Sequence, residues 1–181
     1  MQNFTEMGLR PELLSSLERM GFETPTPIQA KTIPYILDST NDVVAMAQTG
    51  TGKTAAFGLP VLNQIDTENT DIQSIVLCPT RELCLQISSD IERLSHDLPL
   101  STVAVYGGEP IFKQLSALKK GCHIVVGTPG RVNDLINRNK LDLSHIRFLV
   151  LDEADEMLKM GFKDVMDAIL AKRPAMKQTL L

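Results

Sequence analysis

The chain has few cysteines, and the three it carries, Cys78, Cys84 and Cys122, form neither an even set nor a Cys-x-x-Cys pair. A disulfide framework and a cysteine-rich zinc site are thereby disfavoured, and reduced, buried thiols are expected. Histidine is equally sparse: His96, His123 and His145 lie far apart, with no second ligand type at metal spacing, so structural or surface roles are expected. No apolar run approaches the roughly 18 residues of a membrane span. The longest, such as Val43-Val44-Ala45-Met46-Ala47, stop far short, and no membrane partner is expected. The opening residues Met1-Gln2-Asn3-Phe4-Thr5-Glu6 have neither the basic nor the apolar stretch of a secretory signal, which points to a cytoplasmic address. An excess of positive charge is also missing. Lys and Arg total 18 against 22 Asp and Glu, net −4, and overall charge alone carries no nucleic-acid signature. Its distribution is uneven. Residues 109–140 hold Lys113, Lys119, Lys120, Arg131, Arg138 and Lys140 against Glu109 and Asp134, which leaves room for a local positive face or for ordinary solvated helices.

What is present is a globular composition, 43% hydrophobic and 22% charged over 181 residues, enough for one domain with a substantial core. Short runs rich in β-branched residues recur at Asp42–Met46, Ser74–Cys78, Thr102–Tyr106, His123–Gly127, Arg147–Leu151 and Gln178–Leu181, and each reads as a buried strand. Between them the spacing becomes helical, as in Leu83, Ile87, Ile91 and Leu94, which fall on one face of a helix. Alternation of strand and helix predicts an α/β fold with a parallel sheet covered on both faces. Two helical stretches, Glu12–Met20 and Pro27–Leu37, precede the first strand, joined by a turn from Gly21 to Pro25. We therefore read residues 1–40 as a helical extension of the same domain whose core is 41–181. Asn63–Gln73 is polar and reads as a long surface loop. The final Gln178-Thr179-Leu180-Leu181 looks like a strand only begun, and a longer protein is expected.

After the first expected strand comes Ala47-Gln48-Thr49-Gly50-Thr51-Gly52-Lys53-Thr54, then a helical pattern. Gly50 and Gly52 permit backbone angles closed to other residues, so successive N–H groups can turn toward phosphate oxygens, aided by the helix dipole. In that setting Lys53 contacts the β and γ phosphates and the Thr54 hydroxyl ligates Mg²⁺. Ala47 stands where the general pattern has a glycine. The run Phe148-Leu149-Val150-Leu151 leads directly into Asp152-Glu153-Ala154-Asp155, which places carboxylates at the carboxyl end of a parallel strand, where α/β sheets bind ligands. Asp152 is assigned to the metal and Glu153 to the attacking water. Upstream, Thr26, Pro27 and Gln29 fit an N-cap, a first helical proline and a capping box. A ligand role coexists with that reading, because an amide has both donor and acceptor and can pair with an adenine edge, with Phe22 or Phe4 stacking on the base. Pro79-Thr80-Arg81-Glu82-Leu83, Gly107-Gly108 and Thr128-Pro129-Gly130-Arg131 all follow strands. They read either as ordinary turns with Thr80 and Thr128 as N-caps, or as a rim that grips phosphates without reading bases.

In this order these segments resemble the DEAD-box RNA helicases, which are named for the residues standing here as Asp152-Glu153-Ala154-Asp155. Phe22 to Gln29, with Phe4 upstream, is similar to the family's Q motif, Ala47–Thr54 to its phosphate loop, and the three rim segments to its RNA-gripping motifs. The family's alanine at the start of the loop accounts for Ala47, whereas Cys84 replaces its usual alanine. The resemblance implies a RecA-like, phosphate-loop NTPase fold, ATP and Mg²⁺ as cofactors, and Gln29 as the adenine reader. It further implies RNA and a second RecA-like domain of the same protein as partners, with ATP hydrolysis coupled to local unwinding. The arginines that assist γ-phosphate transfer belong to that second domain, so weak hydrolysis is expected of this chain alone. An ATP-gated RNA clamp, or a phosphate-loop ATPase acting on another cargo, are the alternatives.

Overall fold

A computed structural model describes residues 3–48, 50–172, 174 and 178–181. Five strands, β1 (Ser74–Leu77), β2 (Thr102–Val105), β3 (Ile124–Gly127), β4 (Phe148–Leu151) and β5 (Gln178–Leu180), form one parallel sheet in the order β2-β3-β1-β4-β5. The helices are α1 (Pro11–Arg19), α2 (Pro27–Asp38), α3 (Lys53–Gln64), α4 (Arg81–Leu94), α5 (Ile111–Lys119), α6 (Pro129–Asn137), α7 (Ala154–Lys159) and α8 (Lys163–Ala171). Successive strand side chains point to opposite faces, and both faces are apolar here. Val76, Val126 and Val150 join one buried cluster with α1 to α4, while Ile75, Leu77, Val125 and Leu149 join a second with α6 to α8. The result is a three-layer, RecA-like α/β/α arrangement. Leu13, Leu17, Ile33 and Ile36 of α1 and α2 sit in the same cluster as the sheet, so the amino-terminal helices share its core.

The register fixes the functional edge. Leu77 lies level with Gly127 and Leu151, and Val105 level with Gly127, so the strands end together. Three bonds continue the ladder one step further: Asp152 N–H to Leu77 O at 2.9 Å, Cys78 N–H to Gly127 O at 3.0 Å and Thr128 N–H to Val105 O at 3.1 Å. Residues far apart in sequence therefore emerge on one rim.

Helices α2 and α3 pack together despite an internal proline in each, Pro34 and Pro60. Pro60 has no N–H to offer the carbonyl of Ala56 four residues earlier. The buried Thr32 hydroxyl of α2 shares its one hydrogen between Ile28 O of its own helix at 2.8 Å and that Ala56 oxygen at 3.3 Å, a secondary tie between the two helices where the ladder is interrupted.

Two expectations are revised. Asp42–Met46 is not a buried strand but a segment making one parallel bridge, Val43 to Leu180. It bonds through Val43 N–H to Thr179 O at 2.9 Å, Leu181 N–H to Val43 O at 2.9 Å and Ala45 N–H to Leu181 O at 2.8 Å. Among the described residues it has a neighbour on one side only, and Val44 and Met46 are 75% and 94% exposed. The polar stretch 63–73 holds a loop as expected, but only from Ile65 onward, and it is tied down rather than free. Helix α3 runs to Gln64, Ile65 is buried, and the buried Gln73 side chain donates to Asp66 O and Asn69 O, both at 2.8 Å. The loop thereby satisfies both hydrogens of an amide that is itself withdrawn from water.

Candidate nucleotide and RNA site

The loop between Ala47 and α3 turns on two glycines, Gly50 at φ +80° and Gly52 at φ +83°. Left-handed angles of this kind are strained for any residue with a Cβ. Gly52 is the N-cap of α3, which places Lys53 and Thr54 in its first turn. The Thr51 hydroxyl braces the loop by donating to Gln48 O at 2.6 Å. Thr49, a candidate ligand residue, lies outside the described residues.

Helix α2 is fitted directly against this loop. Thr26 is its N-cap and Pro27 its first residue, as the sequence reading expects, and the Thr26 N–H donates to Gln29 Oε1 at 2.9 Å. The amide then reaches across, with Gln29 Nε2 donating to Gly52 O at 3.1 Å and the Thr26 hydroxyl donating to Thr51 O at 2.9 Å. A Cβ on Gly52 would fall on the Gln29 amide nitrogen. Gln29 is buried, yet one amide hydrogen and one oxygen lone pair remain unused by these bonds. Phe22 is 38% exposed, whereas Phe4 is 3% exposed and packed within the core.

Beside the loop, Asp152 leaves the end of β4 and its Oδ1 lies 3.6 Å from Lys53 Nζ. Glu153 follows in a left-handed conformation, φ 54° and ψ 47°, and is the N-cap of α7. For a glutamate this is an uncommon backbone state. Its carbonyl anchors the helix by accepting from Glu156 N–H at 3.0 Å and Met157 N–H at 3.1 Å. Asp155 is turned outward to Lys159, 3.3 Å away, and that hydrogen bond holds its carboxyl below the usual range. A cavity of about 450 Å³ opens between these carboxylates, Lys53 and Ala47 on one side and the apolar Ile36, Phe57 and Leu180 on the other. No cluster of three or more His, Cys, Asp or Glu side chains suited to a metal is found among the described residues. A divalent cation here would depend on the Thr54 hydroxyl, Asp152 and phosphate oxygens, the pattern usual for Mg²⁺.

Along the rim, Thr80 caps α4 by accepting from Leu83 N–H at 3.2 Å. Thr128 occupies the N-cap of α6 but makes no side-chain cap bond, a departure from the expectation for it. Pro79 and Pro129 are buried, while Thr80, Arg81, Gly107, Gly108 and Gly130 are exposed. Arg81 lies 5.0 Å over the Tyr106 ring and 3.5 Å from Glu109. Arg131 donates to Gln114 Oε1 at 2.8 Å and Glu109 O at 3.1 Å, and Gln114 donates in turn to Tyr106 O at 3.0 Å. The free, buried Cys78 thiol, hydrogen-bonded with the Cys84 thiol, is pushed far above the ordinary thiol range.

A family model described as DEAD/DEAH box helicase matches residues 26–181. The chain belongs to that family. It is 52% identical over all 181 residues to the ATP-dependent RNA helicase CshA of Listeria monocytogenes and covers 35% of that protein. It is 50% identical, again over all 181 residues, to the DEAD-box ATP-dependent RNA helicase CshA of Geobacillus kaustophilus and covers 38% of it. Among solved structures, a DEAD box protein from Methanococcus jannaschii superposes with a TM-score of 0.96 at 44% identity, over 100% of this chain and 49% of that one. A hypothetical ATP-dependent RNA helicase from Sulfolobus tokodaii gives 0.87 at 38% identity, over 96% of this chain and 50% of the other. The chain thus spans a little over a third of the curated relatives' length.

Within this DEAD-box domain, sequence reasoning missed Tyr106, Glu109 and Gln114, the residues that hold the two rim arginines. Their only signal was position: Tyr106 and Glu109 flank Gly107-Gly108 at a strand-to-helix turn, and Gln114 lies in α5, which follows. Nor did it show that Thr51 and Gly52 act through their carbonyls, since a carbonyl leaves no trace in residue type.

Proposed function

We propose that this chain is the ATP-binding and RNA-gripping unit of a cytoplasmic ATP-dependent RNA helicase, whose second RecA-like domain completes the active cleft. The bond from Gln29 Nε2 to Gly52 O carries the reading, because it joins a side chain suited to a base edge with the loop suited to phosphates. The unused donor and acceptor of Gln29 pair with adenine, and the exposed Phe22 stacks on it. Gln48, Gly50, Thr51 and Gly52 offer backbone around the phosphates, and Lys53 supplies their countercharge. Thr54 and Asp152 are the residues that would hold Mg²⁺, which on binding supplies charge neutralisation at the phosphates. Glu153, adjacent on the strand end, orients the attacking water.

RNA lies along Pro79, Thr80 and Arg81, Gly107 and Gly108, and Thr128, Pro129, Gly130 and Arg131. The two helix N-termini and the arginines meet its sugar-phosphate backbone without reading sequence. In the intact protein, hydrolysis is coupled to local separation of an RNA duplex.

A competition titration tests the nucleotide half, with ATP, GTP and AMP displacing a fluorescent adenine nucleotide from the wild type and from Gln29→Ala. Preference for adenine that is lost in Gln29→Ala supports the assignment. Binding with no base preference refutes it and returns Gln29 to a capping role alone.

A further inference from the structure

Three basic side chains on the rim converge on one acid. Glu109 Oε1 lies 3.5 Å from Arg81, its Oε2 lies 3.7 Å from Lys113, and its backbone oxygen accepts from Arg131 at 3.1 Å. The carboxylate follows Gly107-Gly108 at the level where β1, β2 and β3 end. Its two oxygens are thus shared between two separate cations, as the two unesterified oxygens of a phosphodiester can be. Glu109 is the one acidic side chain that these contacts bring to Arg81 and Lys113. The Arg81 and Lys113 side chains are 45% and 65% exposed, so an entering polyanion can reach both.

We propose that Glu109 is a built-in competitor of RNA phosphate, holding Arg81 and Lys113 in place until the RNA backbone displaces it. The inference rests on the RNA-gripping reading of the rim. Exposed ion pairs of this length are weak, so the carboxylate tunes affinity and does not block the site. Neutralising Glu109 raises the charge that Arg81, Lys113 and residue 109 carry together by one unit. For a single strand, each additional neutralised phosphate steepens the dependence of log affinity on log salt by about 0.7.

The test is fluorescence anisotropy with fluorescein-labelled oligouridylate across a salt series, for the wild type, Glu109→Gln, Arg81→Ala and the double variant, with urea unfolding to verify that each is folded. Glu109→Gln should bind about 3- to 10-fold more tightly at low salt, with a salt slope steeper by about 0.7. Arg81→Ala should bind more weakly, and the gain from Glu109→Gln should shrink in its background. If Arg81→Ala weakens binding while Glu109→Gln leaves affinity and slope unchanged or weakens them, the competitor role is overturned and the RNA-gripping rim stands. If Arg81→Ala has no effect, or the wild type shows no salt-dependent binding, the rim reading falls and Glu109 as a phosphate competitor falls with it.

Discussion

The fit between Gln29 and Gly52 yields a quantitative test because a second glycine in the same loop acts as its control. Gly50 and Gly52 have nearly equal left-handed angles, φ +80° and +83°, yet a Cβ on Gly50 meets nothing within 4 Å whereas one on Gly52 strikes the Gln29 amide. A left-handed backbone costs an L-residue about 1–2 kcal/mol, and replacing glycine returns about 0.4–1 kcal/mol by restricting the unfolded chain. Gly50→Ala should therefore destabilise by about 0–1.6 kcal/mol. Gly52→Ala bears the same strain and also pushes away an amide that makes two hydrogen bonds, one to Gly52 itself. A net hydrogen bond contributes about 0.5–1.5 kcal/mol, so Gly52→Ala should exceed Gly50→Ala by about 1–2 kcal/mol. Urea unfolding of both variants, alone and in a Gln29→Ala background, reads the difference directly. The excess should vanish once Gln29 is truncated, as expected for residues in contact. Equal destabilisation by the two alanines, or an excess that survives Gln29→Ala, refutes the proposed coupling between α2 and the phosphate loop.

Burial pushes the Cys122 thiol from 9.0 to about 11, so the unfolded state ionises first and stability present below pH 9.0 is lost as pH rises through 11. Over that window the wild type should lose about 2–3 kcal/mol more than Cys122→Ala, read by urea unfolding at each pH; parallel profiles would refute it. Glu153 at φ 54° should be relieved by asparagine, which visits left-handed space several-fold more readily, so Glu153→Asn should stabilise by about 0.5–1 kcal/mol while Glu153→Gln does not. A Glu153→Asn chain less stable in urea than Glu153→Gln would refute the strain argument.

The strands buried on both faces were legible because continuous apolar runs such as Phe148–Leu151 have no other stable home than a covered parallel sheet. The edge segment 42–46 was misjudged for the same reason. Its composition matches that of β1, and only pairing reveals that it has one neighbour instead of two. Sequence did not show that Phe4 is buried while Phe22 is exposed, because an aromatic suits a core and a ligand equally well and only packing separates the two. That the glycine-bearing loop and Asp152-Glu153 lie side by side was legible, because glycine in a strand-to-helix turn and carboxylates at a strand end mark the same edge of a parallel sheet. The rim network was not, since Gln114 and Tyr106 act by holding Arg131 and Arg81, and the pairings cross 17 and 25 residues of chain.

Capping and ligand reading at Gln29 are not competing accounts. A helix N-terminus leaves N–H groups without partners inside the helix, and Gln29 Oε1 satisfies that of Thr26 with one of its two lone pairs. The same bond fixes the amide plane, and the bond from Nε2 to Gly52 O fixes which end faces the loop. A base edge that meets this amide finds it already oriented, so little side-chain freedom is lost on binding. On the proposed nucleotide reading, the cap is what would let a flexible glutamine discriminate between bases. A longer or shorter polar residue at this position would forfeit orientation before it forfeited hydrogen-bonding capacity.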